Sequence, residues 1–205
     1  MGEARDTRPA TEKKESLPPT IKRESPFSTK NLVAIAVGTA LYAALTIPFN
    51  VLTIPGVYLV AIRPTVAIPI VFGFIFGPVA GFVSGFLGNV LSDQVSFGGF
   101  FWNWDLGNGL IGLVPSVGYY VIKRTEWAKA RGLGTISSLA VLASVVGIGF
   151  AALADYVFQI GLSTIGAALA EFIPAAITDA VNGAIIAPIL LYAYVNATKG
   201  RARRI

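Results

Sequence analysis

Between Lys30 and Lys123 the chain carries three charged side chains, Arg63, Asp93 and Asp105. Nothing constrains its fold more. A soluble domain carries roughly 25% charged residues; this chain of 205 residues has 13%, with 54% hydrophobic residues and a mean hydropathy of +0.68. Long apolar runs separated by short polar breaks predict an all-α polytopic membrane protein.

Six stretches read as spans: 31–47, 63–76, 77–93, about 105–122, about 136–158 and about 171–195. Pro64 suits the first turn of a helix, where its missing N–H has no intrahelical partner. A Gly-Pro turn opens the third stretch. The expected architecture is a six-transmembrane-helix bundle over residues 30–197. It is flanked by a disordered cytoplasmic tail at 1–29 and a basic cytoplasmic C-terminus at 198–205. The tail mixes both charge signs with Pro, Ser and Thr and cannot bury enough apolar surface to fold alone. No apolar core of a secretory signal follows its start.

Composition excludes several chemistries. With no Cys and no His, the chain builds no disulfide, thiolate nucleophile or zinc cage, and it lacks the commonest catalytic base. No metal or cofactor is expected. It has no G-x-x-x-x-G-K-[ST] phosphate loop, so it does not hydrolyse ATP itself. The net charge of +5 does not point to nucleic acid, because the basic residues flank apolar spans.

Seven Lys and Arg lie in residues 5–30, four in 123–131 and four in 199–204. With six spans these three segments share one side, which the positive-inside rule makes cytoplasmic. Both termini are therefore expected in the cytoplasm, with the chain multi-pass in the cell membrane. Arg63 is the basic residue left on the outer side. Asp93 ends the outward-running third span, Asp105 opens the fourth, Asp155 lies near the outer end of the fifth, and Glu171 begins the sixth. Asp179 lies eight residues further in, about 12 Å deeper. Ionisable groups in hydrocarbon normally face a bundle interior or a wet cavity, so the outer half is expected to hold a polar site.

Several patterns converge there. On the sixth span Glu171, Ala175, Thr178 and Asn182 share one helical face, with Asp179 beside it. Glu171 is either a first-turn carboxylate favoured by the helix dipole or part of the site. Asp179 and Asn182 belong either to an interhelical network or to a ligand contact. Gly81, Gly85 and Asn89 recur every four residues and lead to Asp93; the glycines suit close helix packing, and Asn89 extends the face outward. In "FFWNWDLGNG", Trp102 and Trp104 suit an interfacial belt, but Asn108 one turn further in favours a pocket of aromatic walls and convergent polar groups. Asp155 and Gln159 form an i,i+4 pair, and Arg63 is a candidate ion-pair partner for one of the acids. Ala36, Ala40 and Ala44 make a small-residue stripe on the first span, fit to seat a neighbouring helix or another membrane protein. The apolar loop 48–62 carries a Pro-Gly turn between β-branched runs, a hairpin signature and a natural lid.

The six-span pattern, the alanine stripe, and "FGFIFGPVAGFVSGFLGNVLSD" followed by "FFWNWDLGNGLIGLVPS" resemble the substrate-binding S components of energy-coupling factor (ECF) transporters, in particular a group of unassigned substrate. The resemblance covers 30–197 in architecture, with its specific motifs in 72–118. It implies capture of a vitamin or related micronutrient from outside. It also implies docking through the alanine stripe onto a transmembrane coupling (T) subunit driven by two cytoplasmic ATPases. Arg63, Asn89, Trp104, Asp105, Asn108, Asp179 and Asn182 are placed in the pocket by depth and face, since S components share no fixed binding motif. "VYLVAIRPTVAIPI" matches no substrate signature, so the substrate stays open. Three other readings stay open as well: a structural or assembly protein of the same shape, a stand-alone solute carrier, and an intramembrane aspartyl enzyme using Asp155 and Asp179.

Overall fold

The computed structural model describes residues 25–52, 54, 60–160 and 164–202. Most of the expected N-terminal tail and the last residues of the basic C-terminus lie outside them. The described chain is helical apart from its connections: α1 (Thr29–Phe49), α2 (Ala67–Phe76), α3 (Pro78–Phe97), α4 (Trp102–Leu113), α5 (Ser116–Val121), α6 (Ala130–Phe158) and α7 (Ile165–Ala202).

Each of the six apolar stretches holds helix, but not each as one unbroken span. Three helices are long and apolar enough to cross a membrane by length and composition: Thr29–Phe49, Ala130–Phe158 and Ile165–Thr198. The second stretch opens as a 3-10 turn, Pro64–Val66, before α2. The expected helix at 105–122 divides into α4 and α5 at Pro115. Proline lacks the N–H that continues a helix, so the α4 hydrogen-bond ladder stops at Val114, whose N–H still reaches Leu110 O.

Capping explains several boundaries. Ser28 Oγ accepts from the Asn31 N–H at 3.3 Å and starts α1. Gly77 turns the chain from α2 into α3 at φ 96°, a conformation that side chains rarely adopt, and Pro78 then opens α3. Gln159 ends α6 in the left-handed region, its Nε2 donating to Tyr156 O. Gln159 is exposed and does not pair with Asp155 as its i,i+4 spacing suggested.

α2 is the axis of the bundle. Its sequence AIPIVFGFIF is apolar all round, which marks a helix buried on every side, and eight of its ten residues are buried. It touches all six other helices, of which α1, α3, α4, α6 and α7 pack in that order around it. The outward faces are apolar. On α7, Ile165, Leu169, Ile173, Ile177, Val181, Ile185 and Ile189 are exposed at every fourth position, a stripe suited to lipid.

Glycines set the closest approaches. A Cβ on Gly81 of α3 would overlap the Gly112 carbonyl of α4 and crowd Gly73 Cα of α2, and a Cβ on Gly112 would overlap the Gly81 carbonyl. Three backbones therefore meet at one crossing. With α3 and α4 this close, their polar ends are brought together one to two turns away.

The loop after α1 doubles back on itself. The Ile54 N–H donates to Val60 O at 2.8 Å and the Ile62 N–H to Leu52 O at 2.9 Å. The Pro-Gly turn expected at its tip lies outside the described residues.

Candidate functional site

A cavity of about 240 Å³ opens at the end of the bundle where α3 and α6 finish and α2, α4 and α7 begin. Six of the residues singled out from sequence line it: Arg63, Asp93, Trp104, Asp155, Glu171 and Asp179. Phe97 and Phe101 add aromatic walls, and Val60, Ala61, Ile148 and Ala175 add apolar surface. Arg63 is a fixed positive charge at the cavity, whereas Lys30, Lys123, Arg124, Lys129 and Arg131 lie at or beyond the opposite helix ends.

Asn89 organises one wall. Fully buried, its Oδ1 accepts from Arg63 Nη1 at 3.2 Å, and its Nδ2 donates to Asp93 Oδ2 at 2.8 Å and to Asp105 Oδ1 at 2.9 Å. An amide offers two N–H donors and one carbonyl, and all are engaged. One arginine thus serves two carboxylates through an intermediary. Among the described residues Arg63 has no carboxylate within ion-pair distance, so the direct ion pair considered from sequence does not form.

A second wall joins α4 to α6. Asp155 Oδ2 accepts from the Trp104 indole at 2.7 Å, and Asp155 Oδ1 accepts from Asn103 Nδ2 at 2.8 Å. The same Asn103 amide nitrogen also donates to Ala151 O at 3.0 Å. Behind Trp104, Asn108 Nδ2 donates to the Trp104 carbonyl at 2.9 Å and Asn108 Oδ1 accepts from the Tyr42 hydroxyl at 2.6 Å. Asn89, Asp105 and Asn108 therefore support the site from behind rather than line it.

The third wall is α7. Glu171, Ala175 and Asp179 repeat at i+4 and all line the cavity. The inward face is thus turned from the expected Glu171–Ala175–Thr178–Asn182 stripe toward Asp179. Thr178 Oγ1 donates to Ala175 O of its own helix. Asn182 is half-buried and does not line the cavity, a correction to the sequence assignment. Trp102 is the other. Its ring meets Phe158 edge-on at 5.6 Å, half-buried, and is not a cavity wall. Trp104 faces inward as a pocket wall, and Trp102 keeps the position of a belt residue.

Two contributors were missed by sequence reasoning. Starting the fourth helix at Asp105 left Asn103 in a loop; α4 begins at Trp102, so Asn103, Gly107 and Ile111 share the face against α6. Tyr42 was passed over within an alanine-rich span, although Gly38, Tyr42 and Thr46 repeat every four residues and all are buried. Their spacing was the available signal.

Among the described residues no three His, Cys, Asp or Glu side chains gather as metal ligands would. On the far side of α1 from Tyr42, Ala36, Ala40 and Ala44 are exposed beside Val33, Val37 and Leu41.

The cavity thus has polar walls carried on apolar helices. No solved structure matches the chain. A family model described as "ECF-type riboflavin transporter, S component" matches residues 26–196, which include every helix that builds the cavity. The chain belongs to this family of ECF transporter S components, substrate-binding subunits of the membrane.

Proposed function

We propose that the chain captures riboflavin, or a heterocycle of that kind, in the cavity between α2, α3, α4, α6 and α7, and delivers it to an ECF-type importer. The family supplies the substrate class. The observation that carries the reading is the cavity itself. It combines an aromatic wall of Phe97, Phe101 and Trp104 with polar groups converging from four helices and from Arg63, ahead of the turn that leads into α2, the composition of a small-molecule pocket. The charge distribution supports a topology of six membrane crossings with both termini cytoplasmic and the cavity in the outer half. Asn89, Asp105 and Asn108 act as supports of the pocket, while Trp102 and Asn182 stand outside it.

Ligand pockets usually enclose roughly 300–1,000 Å³, so a cavity of about 240 Å³ must widen to admit a vitamin. Val60 and Ala61, on the return limb of the outer loop, line it from outside the helices.

Ala36, Ala40 and Ala44 form the docking face for a T subunit carrying two ATPases. Small exposed side chains on a membrane helix permit close backbone approach by another helix. An aspartyl enzyme is disfavoured. Its two carboxylates would share a proton at about 3 Å, whereas both Asp155 oxygens are taken by Asn103 and Trp104.

The experiment is titration of the detergent-solubilised protein with riboflavin, followed by quenching of flavin fluorescence, wild type beside Trp104→Phe. Saturable 1:1 quenching, weakened about tenfold in the variant, supports the pocket. Quenching that is absent, or unchanged in the variant, overturns it. Uptake that persists without any ATPase would favour a stand-alone carrier.

A further inference from the structure

Hydrogen-bond accounting inside the cavity identifies which end of a ligand it reads. The wall's donors are largely spent within the protein. Trp104 Nε1 and Asn103 Nδ2 both go to Asp155, which leaves Arg63, through its remaining N–H groups, as the free donor among the lining side chains named here. The acceptors are not spent. Asp93 is 3% exposed and its Oδ1 has no partner. Glu171 is 7% exposed and its Oε2 has none. Asp179 is 5% exposed and makes no hydrogen bond to any described residue. All three line the cavity. Buried carboxylates left without donors are costly, so a resident ligand is selected for supplying them.

We infer that the face formed by Asp93, Glu171 and Asp179 is a subsite for an array of N–H or O–H donors, such as a polyhydroxyl chain or a protonated amine, carried on a ring that lies against Trp104, Phe97 and Phe101. The inference rests on the proposed capture of a small heterocycle, and it deepens that reading by assigning the ligand's donor-bearing end to α7 and the tip of α3. A flavin satisfies it through its hydroxylated side chain. An aminated heterocycle satisfies it through its cationic group.

The test compares riboflavin with lumiflavin, which has the same ring system but a methyl group in place of the hydroxylated chain. Binding to the full-length protein is measured in wild type and, separately, in Glu171→Gln and Asp179→Asn. Each substitution is nearly isosteric and replaces one acceptor oxygen by a donor, and thermal melts check that each variant folds. Riboflavin binding at least tenfold tighter than lumiflavin in wild type, with the gap closed in either folded variant, is the expected result. Equal affinity for both flavins, unchanged in the variants, leaves flavin capture standing and overturns the donor subsite. If neither flavin binds, flavin capture fails, and mass spectrometry of co-purifying small molecules judges the subsite alone. An amine or polyol retained by wild type and lost from the variants supports it. A donor-free molecule, one retained equally by all three proteins, or no molecule at all overturns it.

Discussion

Replacing Asn89 by Ala tests whether the polar wall between α3 and α4 holds the bundle together. The substitution removes three hydrogen bonds at 2.8, 2.9 and 3.2 Å from a side chain that is fully buried. Two of these bonds leave α3, to Arg63 and Asp105, and the Asn89–Asp93 bond stays within it. At about 0.6 kcal/mol for an interhelical bond in a bilayer and about 0.5–1.5 kcal/mol for a typical intramolecular one, the three set a floor near 2 kcal/mol. Removing one partner from a buried charged network costs about 3–5 kcal/mol. The higher figure is favoured here because Asp93 Oδ1 and Asp105 Oδ2 already lack partners, and the substitution strips the engaged oxygens as well. A loss of roughly 2–5 kcal/mol lowers the melting temperature of a chain this size by about 4–20 °C. The assay is thermal unfolding in detergent without ligand, followed by intrinsic tryptophan emission; thiol-reactive dyes have no target in a chain without cysteine. Asn182→Ala is the control, since Asn182 is half-buried and makes no hydrogen bond to a described residue. An Asn89→Ala protein melting within about 2 °C of wild type, or no lower than Asn182→Ala, would refute the claim that Asn89 joins the wall.

Glycine substitutions should differ in sign with position. Gly112→Ala forces a methyl group into the Gly81 carbonyl and should lower the melting temperature by several degrees, whereas Gly134→Ala meets nothing within 4 Å and should raise it slightly, because alanine favours helix over glycine by about 1 kcal/mol; equal melts for the two would contradict the three-helix crossing. The absence of cysteine also makes topology directly testable. Lys129→Cys should react with an impermeant maleimide only after the cytoplasmic face is opened, and Val51→Cys from outside in intact cells; the reverse pattern would invert the positive-inside assignment. Ala40→Trp should abolish co-purification with the ATPase module while riboflavin binding by the isolated subunit stays within twofold of wild type. Retained assembly would move the docking face off α1.

How much of this was legible from sequence depends on which force decided each feature. Hydrocarbon excludes charge so strongly that scarcity alone located the apolar stretches, and the depth of Asp93, Asp155, Glu171 and Asp179 placed them at one end of the bundle before any packing was known. Helix rotation is decided more weakly. On α7, Asn182 and Asp179 lie three positions apart, and the polar stripe drawn through Thr178 and Asn182 differed from the inward face by about one residue, or roughly 100°. Thr178 satisfied itself on its own backbone instead, a local escape open to hydroxyls and closed to carboxylates. Short polar residues therefore report a helix face less faithfully than acids do.

The same reasoning shows why the supporting residues were harder to read than the lining ones. A carboxylate in a membrane helix announces itself by its cost. An amide such as Asn89, Asn103 or Asn108 is cheaper to bury, and its role depends on partners from elsewhere in the chain: Arg63 just before the 3-10 turn that leads into α2, Ala151 and Asp155 from α6, Tyr42 from α1. These partners lie 26 to 66 residues away in sequence, and only the glycine crossings bring them into reach. With Trp104 and Asn103 committed to Asp155, the acids of α7 are left facing a cavity whose own donors are mostly spent. A bundle selected only for stability would have paired those acids or replaced them with apolar side chains of similar volume, which is often neutral or stabilising. That neither is paired with a donor among the described residues is the strongest structural reason to regard the cavity as a place for something that comes and goes.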